Sequence, residues 1–167
     1  RLEELKFFKI LRLDVLFVFE EIKSTAFLID YLDVLISFAN LSKEFNLVHP
    51  TLNKKIEINI ERGRHITVEN NLRNNVVEFQ PNDCALSLDS DIGYIISGPN
   101  MGGKSTYLRQ NAIIVILAHV GCFVPASSAT IGLVDKIFTR IGAADDITNN
   151  SSTFMTEMTE TSHGLNH

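Results

Sequence analysis

Hydrophobic residues recur at helical spacing along the first 48 residues. One stripe contains Leu2, Leu5 and Phe8, and a second contains Phe27, Tyr31, Val34, Leu35 and Phe38. No glycine or proline interrupts residues 1–49, so the pattern predicts two long helices that meet near Ser24-Thr25. His49-Pro50 closes this segment, because the residue before a proline disfavours the α conformation.

From residue 56 onward the period changes to two. Ile56, Ile58 and Ile60 alternate with polar residues, which indicates a half-buried strand. Further short strands are predicted over Val76–Phe79, Ala85–Leu88 and Ile92–Ser97, with a turn at 81–83. A long helix from Lys104 to Val120 is apolar nearly all round and is therefore predicted to be buried. Short strands and turns are expected over 121–147, and a helix over 153–167.

Composition and charge narrow the class of protein. The chain has 167 residues, 45% hydrophobic and 21% charged, which suits one modest domain or one domain with part of a neighbour. Its 15 basic and 20 acidic residues give a net charge of −5. This argues against a chain that is mainly a basic nucleic-acid surface, although a local basic patch remains compatible. Abundant Leu, Ile, Val and Phe argue against intrinsic disorder.

Neither a membrane span nor a secreted protein is expected. The longest apolar run, Ala112–Ala118, is much shorter than the ~20 residues that a bilayer requires. Cys84 and Cys122 match no standard disulfide or metal-binding spacing, so we expect reduced thiols in an intracellular protein. The chain begins without Met and without a secretory signal, and it ends inside a predicted helix, as expected for part of a longer protein.

A glycine-rich loop carries the clearest chemistry. Residues 98–105 read Gly-Pro-Asn-Met-Gly-Gly-Lys-Ser and fit the pattern G-x-x-x-x-G-K-[ST]. Glycines let backbone N–H groups wrap a phosphate, and the following helix directs its positive N-terminus at the same anion. In this pattern Lys104 reaches the β- and γ-phosphates, and the Ser105 hydroxyl binds Mg²⁺. The predicted strand and helix flank the loop as this mechanism requires.

Residues 97–110 resemble the phosphate-binding loop of the MutS DNA mismatch-repair ATPases, which belong to the ABC-type P-loop proteins. The run Pro99-Asn100-Met101-Gly102-Gly103 inside the generic pattern carries the resemblance. The similarity continues through 121–126, 131–135, 137–143 and 152–158, and upstream it includes 32–35, 63–65 and 79–83. It therefore covers nearly the whole chain.

The resemblance implies an α/β fold in which a helical lever segment, 1–48, precedes a P-loop ATPase domain, 49–167. This second part would be the N-terminal part of an ABC-like P-loop NTPase domain. No apolar strand ending in Asp-Glu follows Lys104. The resemblance therefore predicts a domain truncated before its acidic Walker B strand, and so a segment that is inactive alone.

The function that the resemblance implies is ATP-dependent recognition and repair of DNA mismatches by a dimeric clamp. The enzyme would be a DNA-dependent ATPase that uses ATP and Mg²⁺. Its expected partners are mismatched double-stranded DNA, read by modules absent from this chain, a second MutS-type subunit in a homo- or heterodimer, and a MutL-type downstream protein. Residues 109–112 are similar to those of mitochondrial and α-proteobacterial members.

The resemblance also assigns individual roles. It implies catalytic roles for Lys104 and for Ser152, which the family presents to the γ-phosphate of the other subunit. Ser152 also suits the N-cap of a following helix, and both roles are compatible. Phe79 would pack on adenine, and Ser105 would bind the metal. The implied cofactor-binding residues are Phe79, Gly98, Pro99, Asn100, Met101, Gly102, Gly103, Lys104, Ser105 and Thr106.

Other interpretations stay open at this point. The chain could belong to a MutS-like protein of recombination or organelle genome maintenance, or to another ABC-type ATPase, a P-loop kinase or a non-hydrolysing dimerisation module. The sequence lacks a Leu-Ser-Gly-Gly signature and an Arg-rich lid. Arg64 and His65 are expected to brace the sheet and not to contact DNA, and His119 is expected to be a core histidine with its hydrogen bonds satisfied. Asp145, Asp146 and Glu157 are expected to be solvated and not catalytic. His163 and His167 could face one metal ion, but no third ligand lies nearby, so a zinc site is not expected.

Overall fold

A computed structural model describes residues 1–73, 78–100, 102–139 and 162. Its helices and strands are α1 (Leu2–Phe17), α2 (Phe19–Phe45), β1 (Thr51–Asn53), β2 (Glu57–Gly63), α3 (Ile66–Arg73), β3 (Asn82–Ser87), α4 (Lys104–His119) and β4 (Ser128–Gly132). The chain divides into two compact units, Arg1–Lys43 and Glu44–His167.

The two predicted N-terminal helices are present, but the predicted junction is wrong. The break lies at Val18, with φ −103° and ψ 12°, whereas Ser24 and Thr25 lie inside α2. Their hydroxyls donate to the Glu21 carbonyl oxygen over 2.9 and 2.8 Å. Both side chains thus bond to a backbone carbonyl of the preceding turn, the contact that Ser and Thr make when they lie inside a helix.

The second unit contains a small mixed sheet with strand order β1-β4-β2-β3. β1 and β4 are parallel, and β2 is antiparallel to both β3 and β4. Ile60 and Ile131, from the two central strands, are fully buried and pack in one cluster with Ile114, Val115 and Ala118 of α4. This core fixes α4, and hence the loop before it, against the sheet.

The predicted fold class, the N-terminal part of an ABC-like P-loop NTPase domain, is wrong for this chain. The described sheet is small and mixed, and the expected strand Ile92–Ser97 has no regular structure. β3 is an edge strand, and the Tyr94 hydroxyl contacts its outer edge. That hydroxyl donates to the Ala85 oxygen over 2.5 Å and accepts from the Ala85 N–H over 3.2 Å. A side chain thus takes the place that a paired strand would occupy.

The other predicted elements have mixed outcomes. The strand over Ile56–Ile60 is confirmed as β2, Ala85–Leu88 is confirmed in large part as β3, and the helix from Lys104 is confirmed as α4. The turn at 81–83 is wrong, because β3 already begins at Asn82. α4 is not buried on all sides: Leu108 and Ile116 are 45% and 48% exposed. The helix over 153–167, apart from residue 162, and most of the strand over Val76–Phe79 lie outside the described residues.

Candidate functional site

The glycine loop leads directly into the N-terminus of α4. Gly103 is the N-cap, with φ 84° and ψ 4°, and no side chain caps this end. The Gly102 N–H donates to the Pro99 oxygen over 3.1 Å, and a Cβ on Gly102 would lie 3.0 Å from the same oxygen. The loop therefore needs glycine at 102 for space and at 103 for conformation. It presents the free N–H groups of a helix N-terminus, which favour anions.

Lys104 folds back over this loop. Its Nζ donates to the carbonyl oxygens of Gly98 and Pro99 over 2.6 and 2.7 Å. The ammonium group is thus held at the loop by neutral acceptors. A negatively charged oxygen is a stronger acceptor for an ammonium group than a carbonyl, so this arrangement can exchange carbonyls for a phosphate.

A cleft of about 590 Å³ adjoins the loop. It is lined by Phe79, Gln80, Asn82, Asp83, Tyr94, Ile96, Ser97, Gly98, Pro99, Gly102, Gly103, Lys104 and Tyr107. The structure thus brings the half-buried Phe79 to the same cleft as Lys104 and four other residues of the loop. Asn100, Ser105 and Thr106 lie beside this lining, with Ser105 exposed on the first turn of α4. Met101 and Ser152 lie outside the described residues.

Tyr107 is a cleft residue that the sequence analysis did not identify. Its hydroxyl donates to the Asp83 carbonyl oxygen over 2.9 Å. Burial, with a further contribution from the Cys84 thiol, raises the pKa of Tyr107 to about 12. Burial also raises the pKa of Cys84. The sequence spacing could have predicted that Tyr107 lies at the cleft. Side chains three residues apart on a helix share a face, and Lys104 lies three residues before Tyr107.

Two other polar residues of this unit, Arg64 and His119, have structural contacts. Arg64 pairs with Glu69 of α3 over 2.9 Å, and its Nη2 donates to the Phe45 and Asn46 oxygens. The Arg64 side chain therefore joins α3 to the end of α2 and does not brace the sheet as predicted. His119 uses both ring nitrogens: Nε2 accepts from the Val134 N–H over 3.1 Å, which leaves Nδ1 to donate to the Val115 oxygen.

The side chains of His65, Cys84 and Cys122 are buried. Burial lowers the pKa of His65, whose Nδ1 has no hydrogen-bond partner. Cys84 and Cys122 are free thiols, and burial raises the pKa of both. These three side chains are therefore held in their neutral forms near neutral pH.

Two features, a cluster of metal ligands and a helix able to span a membrane, are absent from the part of the chain that the structure describes. Within it, no three His, Cys, Asp or Glu side chains converge as metal ligands would. None of its helices combines the length and the apolar character needed to cross a bilayer. The residues considered for a zinc or acidic site at 145, 146, 157, 163 and 167 fall outside the described ranges.

Comparison with known proteins supports one family. The family model for MutS domain V matches residues 94–167. The chain is 54% identical over 131 residues to the DNA mismatch repair protein MutS of Orientia tsutsugamushi (strain Ikeda), covering 78% of the chain and 15% of that protein. For the proteins of the same name from Alkaliphilus oremlandii and Ehrlichia chaffeensis, identities are 50% over 141 residues and 47% over 163. These alignments cover 84% and 98% of the chain. The chain spans only 15%, 16% and 20% of these three relatives.

Proposed function

This chain belongs to the MutS family, and on that premise we propose that its loop at 98–105 binds the phosphates of ATP with Mg²⁺. The protein that contains it acts in DNA mismatch repair. The observation that carries this proposal is the single cleft shared by Phe79, Lys104 and the glycine loop. Its volume of about 590 Å³ falls in the range of small-molecule sites.

Each residue then has a chemical role. Lys104 exchanges the Gly98 and Pro99 oxygens, now 2.6 and 2.7 Å away, for oxygens of the β- and γ-phosphates. The first N–H groups of α4 add the favourable field of a helix N-terminus. The Ser105 hydroxyl, exposed on the first turn, binds Mg²⁺. Phe79 offers its aromatic face to the adenine at the other side of the cleft.

In the whole protein, ATP binding and hydrolysis switch a dimer clamped on mismatched DNA between two conformations. Residues 1–48 act as a helical lever, and Ser152 reaches the γ-phosphate of the partner subunit. A MutL-type protein is the downstream partner. The acidic residues that hold the metal and orient water come from outside these 167 residues, because no apolar strand ending in Asp-Glu follows Lys104. The chain alone therefore hydrolyses ATP negligibly.

Replacement of Lys104 tests this proposal. Lys104→Ala removes the cation from the phosphate site, so the affinity for MgATP, measured by calorimetric titration, should fall at least tenfold, or about 1.4 kcal/mol. Lys23→Ala removes an equally charged, exposed side chain from α2 and should leave the affinity unchanged. Equal MgATP binding by Lys104→Ala and the unsubstituted chain would refute the proposed site.

A further inference from the structure

Tyr107 connects the two sides of the cleft. It lies on α4, one turn after Lys104, and its hydroxyl crosses to β3, where it donates to the Asp83 oxygen over 2.9 Å. Asp83 is itself fixed, because its Oδ1 accepts the Arg62 N–H over 2.6 Å. Arg62 has a φ of 50° at the point where the register of β2 shifts. The acceptor of Tyr107 therefore belongs to a well-anchored part of the sheet.

A second contact reinforces the same connection. Gln110, one turn further along α4, is fully buried, and its Nε2 lies 3.4 Å from the Asn82 oxygen. The Asn82 side chain donates in turn to the Gln80 oxygen over 3.0 Å. Residues 80–83 are thus held to one face of α4 at two successive turns. Phe79 immediately precedes this held segment, so its distance from the loop depends on these contacts.

The Tyr107 contact is the shorter of the two. Its 2.9 Å separation is near the optimum for a hydroxyl donor, whereas 3.4 Å for Gln110 is long. The phenol keeps its proton at neutral pH, since its pKa is raised to about 12, and it therefore remains a donor. Loss of this hydroxyl would leave the Phe79 side of the cleft held to α4 by the weaker contact alone.

We propose that Tyr107 is a positioning residue that holds Phe79 at the adenine distance from the phosphate loop. The site thereby prefers an adenine nucleotide over bare polyphosphate. This inference rests on the proposed function and adds a determinant of specificity to the same site. Tyr107 does not contact the phosphates in this account, so its effect must depend on the base of the ligand.

The test compares two ligands in the full chain. Dissociation constants for MgATP and for magnesium tripolyphosphate are measured for the unsubstituted chain, Tyr107→Phe and the control Tyr31→Phe. Tyr31 is exposed on α2 and does not line the cleft, so Tyr31→Phe removes one hydroxyl without changing the cleft lining. Tyr107→Phe should weaken MgATP about three- to tenfold, the usual effect of one hydrogen bond. Tripolyphosphate binding should stay unchanged, and Tyr31→Phe should change neither.

A double-mutant cycle separates positioning from general destabilisation. If Tyr107 acts through Phe79, the pair Tyr107→Phe and Phe79→Ala should bind MgATP no more weakly than Phe79→Ala alone. Fully additive losses would overturn the inference, as would equal weakening of both ligands by Tyr107→Phe or no weakening of MgATP. Thermal unfolding of each variant verifies that it is folded. An unsubstituted chain that binds neither ligand would overturn the proposed function itself, and this inference with it.

Discussion

Gly103 and Gly121 provide a controlled test of what the glycine loop contributes. They flank the two ends of α4 and have nearly the same positive φ, 84° and 82°. A Cβ built on either residue meets no atom within 4 Å. Replacement by alanine therefore imposes the same conformational cost at both positions and no steric clash at either. Only Gly103 lies in the proposed phosphate site.

The cost can be estimated from the conformation alone. The left-handed region costs a residue with a Cβ roughly 1–2 kcal/mol relative to glycine. For a chain of this size, each 1 kcal/mol lowers the melting temperature by about 2–4 °C. Gly121 also completes a helix C-terminal motif, in which its N–H and that of Cys122 donate to the Ala118 and Leu117 oxygens. We therefore expect Gly103→Ala and Gly121→Ala to lose similar, modest stability.

Ligand binding should separate the two variants. In Gly103→Ala the strained N-cap shifts the N–H groups that face the phosphates, so the affinity for MgATP should fall severalfold. Gly121→Ala should bind MgATP normally, because its strain lies at the opposite end of the helix. Differential scanning fluorimetry and calorimetric titration measure both quantities on the same samples. Equal loss of MgATP affinity in the two variants would refute the reasoning, as would normal binding by Gly103→Ala despite a lowered melting temperature.

Two further predictions concern stability. Burial lowers the pKa of His65 below 6.5, so the unfolded chain binds its proton more tightly. The free energy of unfolding, measured by urea titration, should therefore be highest above about pH 6.5 and should decrease as the pH is lowered further. This decrease should be smaller in His65→Phe. In Gly132→Ala the new Cβ would collide with the Lys55 carbonyl oxygen, and we expect a loss of about 2 kcal/mol or more. Gly93→Ala, whose Cβ meets nothing within 4 Å, should melt like the unsubstituted chain; equal melting of the two alanine variants would contradict the assigned clash.

The local pattern of hydrophobic and polar residues correctly predicted those helices and strands that are determined by residues close together in the sequence. The alternation around Ile58 gave β2, and the glycine loop followed by an apolar run gave the start of α4 at Lys104. The segment Ile92–Ser97 has equally strong local character, yet it is not a strand. Strand formation needs a partner, and the Tyr94 hydroxyl contacts the edge of β3 instead. A contact between a side chain and a backbone group nine residues away produces no periodic pattern in the sequence, so periodicity could not predict it.

The composition of α4 explains why its buried face was not predicted. The helix is apolar nearly all round, so periodicity does not single out one face. In the structure Gln110, Ile114 and Ala118 are buried at spacings of four residues, whereas Ile116 is 48% exposed. Because glutamine is polar, a hydrophobic pattern does not predict that Gln110 is fully buried on the core face. Its side chain lies beside Gly63, where a Cβ would approach Nε2 to 2.6 Å.

The same face of α4 connects the core to the proposed site. Ile114 and Ala118 pack with the sheet, Gln110 and Tyr107 contact the start of β3, and Lys104 covers the loop. These residues follow one another at intervals of three or four, so they form a continuous stripe along a single rigid helix. The position of Lys104 relative to Phe79 is therefore set by core packing more than a turn away. A core substitution that tilts α4 would change the cleft without touching any residue that lines it.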